Sequence, residues 1–409
     1  MVHLIEFTVG NFLSFKDKKT FSMEASNIRE LPDNILEAGN YKLLKTAAIY
    51  GANSSGKSNL IKALEFMQDT IMNSSKLNST DKLDVTPFLL AKENSSLPSY
   101  FEILLLIWYN YYRYGFELDN DKIHSEWLYI VPQNTKKEQA LFLRENESIG
   151  ISNAFSEAKG LEERTRENGL FLSVCDQFNV KQAKEIIANI NDIRILSGVN
   201  HDPFKSMTNV YLREEAKKTK DFFNNFQLGF IDINLITGER AAFDKAQTTH
   251  NIYDISGKTI GRHSFIITES ESAGTNKVFD MAGFILYTLQ FGFPLVVDEL
   301  DAKLHPLLTK KIIEMFHSPE INPKGAQLIF ATHDTNLLGC DCFRRDQIWF
   351  TEKDEKEQTD LYSLVEFRDP DGVKVRNDRN YEKDYIQGRY GAIPFIGDFS
   401  NLMNHGKKS

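Results

Sequence analysis

The chain has 409 residues, 41% of them hydrophobic and 12% aromatic, which is enough apolar material for a folded protein of two or three domains. Its 48 basic and 57 acidic residues leave a net charge of −9, so no global basic field draws in nucleic acid or an anionic membrane, and any such contact must use a local patch. The longest apolar run, Ile103 to Tyr112, is interrupted well short of the roughly 20 residues needed to cross a bilayer, which argues against a membrane-spanning role.

The opening segment, MVHLIEFTVGNFLSF, alternates apolar and polar positions (Leu4, Phe7, Val9) and reads as a strand, not as an export signal. Phe21 and Met23 continue the alternation, and Leu43 to Tyr50 forms a buried strand running into a glycine-rich loop. From Ser58 to Met72 the residues Leu60, Ile61, Leu64 and Ile71 fall at helical spacing. Residues 100–131 predict antiparallel strands turning at Asp119-Asn120-Asp121, a sheet lobe beside the loop. From about residue 135 the composition shifts to Lys, Glu, Asn and Ala, as in EEAKKTKDFFNNF, and predicts a mainly helical insertion over 135–262. Two helices of about 25 residues reach only about 40 Å, so the insertion is no long coiled-coil arm. Past Phe265 the α/β character returns, with strands at Pro294–Val297 and Leu328–Ala331, and the polar end Asn404–Ser409 is expected to fray. The three cysteines, Cys175, Cys340 and Cys342, form no CxxC pair, so neither a disulfide framework nor a zinc site is expected and a reducing cytoplasm is the simplest compartment. Cys340 and Cys342 flank Asp341, and both a redox-active and an ordinary structural reading apply to them.

Gly51-Ala-Asn53-Ser54-Ser55-Gly56-Lys57-Ser58 matches GxxxxGK[ST] in full, with a strand before and a helix, opening Asn59, after it. Such a loop closes backbone N–H groups around phosphate oxygens, with the helix directing its positive end at them. Lys57 then reaches the β- and γ-phosphates and Ser58 Oγ ligates Mg²⁺. A second apolar strand, Pro294 to Val297, ends in Asp298 and Glu299. Asp298 is the candidate Mg²⁺ holder and Glu299 the candidate general base for an attacking water. Paired acids at a strand end are often merely solvated; the upstream loop favours the functional reading.

Asp298-Glu299-Leu300-Asp301 followed by Leu304-His305-Pro306 resembles the Walker B motif and D-loop of ABC ATPases of the SMC, RecF and OLD type. Leu328-Ile-Phe-Ala-Thr332-His333-Asp334 is similar to the strand and switch histidine of that group, and Glu271-Ser272-Ala273-Gly274-Thr275 stands where its signature motif belongs. The signature departs from LSGGQ, keeping a serine and one glycine, and no Q-loop glutamine is evident near Pro87-Phe88 or Glu102. The segments Asn11-Phe-Leu-Ser-Phe15, Tyr112-Arg-Tyr-Gly-Phe116, Ser125-Glu-Trp-Leu128 and Gly388-Arg-Tyr-Gly-Ala-Ile-Pro-Phe395 further resemble RloA and the AbiL-type abortive-infection ATP-binding proteins of bacteria.

The resemblance implies an ABC-type P-loop ATPase head of α/β class, a parallel core sheet plus an antiparallel β lobe, with an inserted helical subdomain. Its parts would be residues 1–134, the insertion 135–262, and residues 263–409 carrying signature, Walker B, D-loop and histidine. It implies ATP and Mg²⁺ as ligands, with Asn53 to Asn59, Ser272, Gly274 and Asp301 at the nucleotide, and Glu299 and His333 in catalysis. Ser272 and Gly274 would act on the nucleotide of an opposite protomer, in a homodimer or larger even-numbered oligomer. A separate nuclease or TOPRIM-like effector is the implied partner, because the residues after His333 offer no acidic nuclease site. Asp369 and Asp371 there read as turn residues around Pro370. The alternative is a RecF- or SMC-like DNA-binding ATPase, for which the basic clusters Lys16–Lys19, Lys217–Lys220 and Lys374–Arg379 are the candidate contacts, although charge runs are more often solvated faces. A transporter subunit fits the atypical signature poorly, and a simple P-loop kinase leaves Glu299 and His333 unexplained.

Overall fold

The computed structural model describes residues 1–132, 137–197, 205–238, 244–369 and 371–394. The N-terminal region supplies β1 (Val2–Gly10), β2 (Lys19–Ser22), the pair β3 (Ile35–Ala38) and β4 (Tyr41–Leu44), then β5 (Thr46–Tyr50) and helix α1 (Lys57–Asn73). A meander follows: β6 (Ser99–Ile107), β7 (Asn110–Leu118), β8 (Ile123–Pro132), β9 (Gln139–Glu145) and β10 (Ser148–Ile151). The middle holds α2 (Phe171–Gln177), α3 (Lys181–Asn191), β11 (Arg194–Ser197), α4 (Lys205–Glu214), α5 (Ala216–Phe226), β12 (Asp232–Ile236), β13 (Lys245–Tyr253) and β14 (Thr259–Ile266). The last third runs α6 (Ile267–Ser270), α7 (Ala273–Phe291), β15 (Pro294–Asp298), α8 (Pro306–His317), β16 (Gln327–Ala331), β17 (Ile348–Lys353), β18 (Thr359–Ser363) and α9 (Tyr381–Ile386).

Six strands in the order β11-β15-β16-β5-β17-β18 form the central sheet, in which only the β17–β18 pair is antiparallel. Its strands read as near-continuous apolar runs because both faces are covered. Side chains alternate between two cores: Ala47, Ile49, Val296, Ile329 and Trp349 face α1 and the β lobe, whereas Ala48, Tyr50, Val297, Phe330 and Phe350 face α7 and α8. The lobe is a seven-stranded antiparallel sheet, β10-β9-β8-β7-β6-β1-β2. The expected α/β class, with parallel core and antiparallel lobe, is the observed one. No helix among the described residues is long and apolar enough to cross a membrane.

The YRYGF and SEWL segments, which the sequence marks only as patterns, meet across the β7–β8 pair. Glu126 is buried there: its carboxylate accepts from the Tyr114 hydroxyl at 2.9 Å and from the backbone N–H groups of Phe171 and Leu172 at the start of α2. Arg144 stands 3.7 Å away and donates to the Gly169 carbonyl. A carboxylate at a helix start meets both the free N–H groups and the positive end of the helix dipole. A Cβ on Gly115 would lie 2.4 Å from the Trp127 ring, which explains that glycine.

Two expectations need correction. The segment 135–262 contains α2 to α5, yet it also gives strands to three sheets: β9 and β10 to the lobe, β11 to the core, and β12-β13-β14 as a sheet of their own. β11 is only four residues long, and β13, KAQTTHNIY, is too polar to announce a strand. Cys340 and Cys342 are joined in a disulfide, their Cα atoms 5.2 Å apart and so within bridging range despite the single residue between them. Cys175 is free and buried. Around Asp369 the turn reading agrees with its carboxylate accepting from the Val373 N–H at 2.8 Å. Pro370, Phe395 and Asn404–Ser409 lie outside the described residues.

Candidate nucleotide site

The carboxyl ends of β15, β16 and β5, three adjacent parallel strands, converge on one pocket of about 440 Å³. This is where open α/β sheets bind ligands. Asn53, Ser54, Ser55, Gly56, Lys57, Ser58 and Asn59 line it together with Glu299, His333 and Lys353. The loop from Gly51 to Gly56 leaves β5 and turns into α1 with Gly56 at φ 117°, a conformation that favours glycine. The strand, loop and helix thus stand in the order the motif requires.

Three side chains to which the sequence reading gave no role at the loop, Thr351, Thr359 and Ser14, brace it from behind. Ser55 Oγ lies 2.6 Å from Thr351 Oγ1, and Thr359 Oγ1 donates to the Ser55 carbonyl at 2.9 Å. Ser14 Oγ accepts from Asn59 Nδ2 at 2.7 Å and lies 2.7 Å from Thr359 Oγ1, to which its own hydroxyl can donate. The fit is tight: a Cβ on Gly56 would sit 2.4 Å from Thr359 Oγ1, and one on Gly51 would sit 2.5 Å from the Thr351 carbonyl oxygen. The β17–β18 hairpin is therefore the mould against which the phosphate-binding loop is cast.

Lys57 is 5% exposed, and its ammonium donates to the carbonyls of Gly51 (2.7 Å) and Ala52 (3.0 Å). Burial pulls its pKa down to about 8, against the upward pull of Asp298, Glu299 and Asp301. A cation held short of full solvation beside a polar pocket gains most from an incoming anion. His333 follows β16, its backbone N–H 3.4 Å from Asp301 Oδ2, and burial followed by the nearby Lys57 charge lowers its pKa.

Glu299 sits at φ 53°, a conformation costing a non-glycine residue on the order of 1 kcal/mol or more and found preferentially at functional sites. Its carbonyl accepts from the buried Lys277 ammonium of α7 at 2.9 Å, which ties α7 to the turn after β15. Asp298 Oδ1 and Asp301 Oδ1 are buried with no hydrogen-bond partner among the described residues. Leaving a buried acceptor unpaired costs about 1–3 kcal/mol, more for a charged one, so each orphan oxygen points to a ligand that completes it. Asp298 and Ser58 offer oxygen donors of the kind that would hold a divalent cation such as Mg²⁺.

Ser272 and Gly274 do not join this pocket. Ser272 is exposed and caps α7, its Oγ accepting from the Thr275 N–H at 3.1 Å. Gly274 packs against the Lys303 carbonyl, which a Cβ would approach to 3.0 Å. Asp301 lies between the two surfaces, in the turn that carries Leu304 N–H to its own carbonyl. The sequence reading thus named both surfaces and missed Lys353, Thr351 and Thr359, which sit outside any motif, while Ser14 was noted only as part of the Asn11–Phe15 pattern.

No curated protein matches the sequence. Among solved structures, the chain is similar to one described as the recombination mediator protein RecF-ATPrS in the RecFOR pathway, at 11% identity and a TM-score of 0.33, covering 88% of this chain and 98% of that one. The RecF-ATP structure of the same pathway matches at 12% identity and a TM-score of 0.31, with the same coverages. The loop Gly51–Ser58, strand β15 with Asp298 and Glu299, and His333 all fall within residues 47–339, which match the model of the family described as AAA domain, putative AbiEii toxin, Type IV TA system, and the chain belongs to that family.

Proposed function

We propose that this chain is an ATP-hydrolysing switch of the ABC type that works as a homodimer or larger even-numbered assembly in the cytoplasm. The observation that carries the reading is a phosphate pocket in which Lys57, Glu299 and His333 converge, while Ser272 and Gly274 lie outside it at an exposed helix start. In a closed dimer each α7 start would face the partner's pocket and direct its N–H groups at the terminal phosphate. Lys57 would exchange its two loop carbonyls for phosphate oxygens. Glu299 would hold the attacking water and accept its proton, and His333 would donate to the terminal phosphate from the far side. Bound Mg²⁺ would neutralise charge on the bridging oxygens, with Ser58 and Asp298 as its protein ligands.

Closure on ATP and opening on hydrolysis would control a separate effector, a nuclease or TOPRIM-like protein, in an RloA- or AbiL-like abortive-infection module against phage. The family description, which names a toxin of a toxin–antitoxin system, supports a defence role of this kind. The DNA-clamp alternative draws less support from the basic clusters. Lys16 faces Glu93, Lys18 faces Glu117, Lys19 faces Asp360, Lys220 faces Asp232 and Arg379 faces Asp384, so much of their charge is already neutralised. The test is mass photometry of wild type and Glu299→Gln with ATP and Mg²⁺, alongside phosphate release and co-purification with the product of the neighbouring gene. An ATP-stabilised, hydrolysis-dead assembly retaining an effector supports the reading. An assembly indifferent to ATP, or DNA binding that falls steeply with salt and replaces effector binding, removes it.

A further inference from the structure

A separate cavity of about 230 Å³ lies at the far end of α1, where Ser75, Arg164, Arg166, Val174, Gln177 and Phe178 line it. α1 is 17 residues long, so at about 1.5 Å per residue roughly 25 Å separates this cavity from the phosphate-binding loop at the helix start. No aspartate or glutamate is among its lining residues, although the chain as a whole carries a net charge of −9. Among the described residues neither arginine is paired with a carboxylate, and the Arg164 guanidinium, the Ser75 hydroxyl and the Gln177 amide have no hydrogen-bond partner.

The backbone that carries the two arginines is fixed from inside the protein. The buried Arg144 guanidinium donates to the carbonyls of Arg166 at 3.2 Å, Glu167 at 3.2 Å and Gly169 at 2.6 Å. The Asn168 amide donates to the carbonyls of Asn78 at 2.8 Å and Asp81 at 3.0 Å, which fastens the same segment to the chain beyond α1. Ser74 Oγ accepts from the Leu170 N–H at 3.2 Å, and Ser173 Oγ donates to the Ile71 carbonyl at 2.6 Å, covering one of the last carbonyls of α1 and so weakening the negative end of that helix. Arg166 also donates to the Leu77 carbonyl. The Arg164 guanidinium lies 5.2 Å from the centre of the Phe178 ring, whose residue is 45% exposed, an arrangement that supports the planar cation and leaves its N–H edge free.

Two cations on a clamped backbone, with a hydroxyl beside them and no acid, are suited to a dianion. Guanidinium groups bind phosphate oxygens in bidentate fashion, and a phosphate monoester offers more charge and more acceptors than a carboxylate. Val174 and Phe178 add an apolar side to the same cavity, as organic ligands require. We propose that this cavity binds a small organic phosphate, with the phosphoryl oxygens on Arg164, Arg166 and Ser75 and the apolar or aromatic body against Val174 and Phe178. The site is distinct from the phosphate pocket and does not depend on the ATP reading.

The experiment is a calorimetric titration of the full chain with phenyl phosphate and separately with phenol, after a non-hydrolysable ATP analogue and Mg²⁺ have been added to occupy the phosphate pocket. Phenyl phosphate should bind one per chain and at least tenfold more tightly than phenol. Arg164→Ser, at an exposed position without a hydrogen bond to the rest of the chain, should weaken phenyl phosphate about tenfold at an unchanged melting temperature. Arg164→Lys, which keeps the charge and loses the fork, should fall between that variant and wild type, and Phe178→Ser should cost a few-fold. Absence of binding by wild type, phenol binding as tightly as phenyl phosphate, or unchanged affinity in both Arg164 variants would overturn the site. A 5′-phosphorylated single-stranded oligonucleotide that binds more than tenfold tighter than phenyl phosphate, and loses that gain in Arg164→Ser, would overturn it in favour of a nucleic-acid strand.

Discussion

The phosphate pocket and the start of α7 differ in how much of their work one copy of the chain can do. The pocket is finished: its loop is moulded against Thr351 and Thr359, Lys57 is already in place, and Glu299 and His333 look into it. The start of α7 faces solvent instead, its Ser272 hydroxyl occupied by its own helix, and it contributes nothing to the pocket lining. Between them Asp301 keeps one buried oxygen without a hydrogen-bond partner among the described residues. Under the proposed dimer mechanism the contrast would separate binding from hydrolysis: one chain would hold a triphosphate, and a second copy would be needed to surround the terminal phosphate.

Breaking the finished surface should have the largest effect. Lys57→Ala removes the ammonium that donates into the loop and should lower kcat/KM about thousandfold, with ATP binding lost in calorimetry. Glu299→Gln should lower kcat by several hundredfold while ATP affinity stays within a few-fold of wild type, as read by phosphate release and calorimetry on one preparation. Ser272→Arg tests the other surface, placing a bulky cation on an exposed helix start. It should lower kcat about hundredfold while the ATP affinity of each single chain is preserved. Should Ser272→Arg weaken ATP binding by single chains as much as Lys57→Ala does, the distinction between the two surfaces is lost.

Gly56→Ala sharpens the comparison from within the pocket. The added methyl group collides with Thr359, and alanine resists φ 117°, so ATP affinity should fall at least tenfold. Thr359→Ala combined with it relieves the collision and should recover part of that loss. The scaffold beneath both surfaces supplies the smallest effect. His3 is buried and His317 half-buried, and desolvation depresses their pKa values to about 4 and about 3. A histidine whose folded pKa lies below its unfolded value contributes stability that is present above the unfolded pKa and lost as pH falls towards the folded one. The melting temperature should therefore decline from about pH 6.5 downward, and His3→Gln should flatten that slope, measured by calorimetry across the range.

The chemistry that runs through contiguous motifs was legible in the sequence. Gly51 to Ser58, Asp298-Glu299 and His333 stand at the ends of β5, β15 and β16, as expected from an apolar strand followed at once by the functional residues. What the sequence hid is carried by long-range packing. Thr351, Lys353 and Thr359 reach the loop only because β17 pairs with β5 in parallel, a contact about 300 residues long that no local pattern announces. β11 escaped notice because four residues inside a helical stretch carry no readable period. The Asn11 and Glu126 segments were visible as patterns, yet their meaning lies in partners from distant parts of the chain: residues 88–97 for Asn11, and Arg144 with the start of α2 for Glu126.

The most direct test of the division between the two surfaces is complementation between Lys57→Ala and Ser272→Arg chains. Each variant alone should be inactive, because every site in its dimer lacks either the lysine or the opposing serine. In a one-to-one mixture half the dimers are mixed, and each mixed dimer rebuilds one intact site, so phosphate release should return to about a quarter of the wild-type rate. A mixture no more active than its components, or a Ser272→Arg chain that hydrolyses ATP normally alone, would contradict the account.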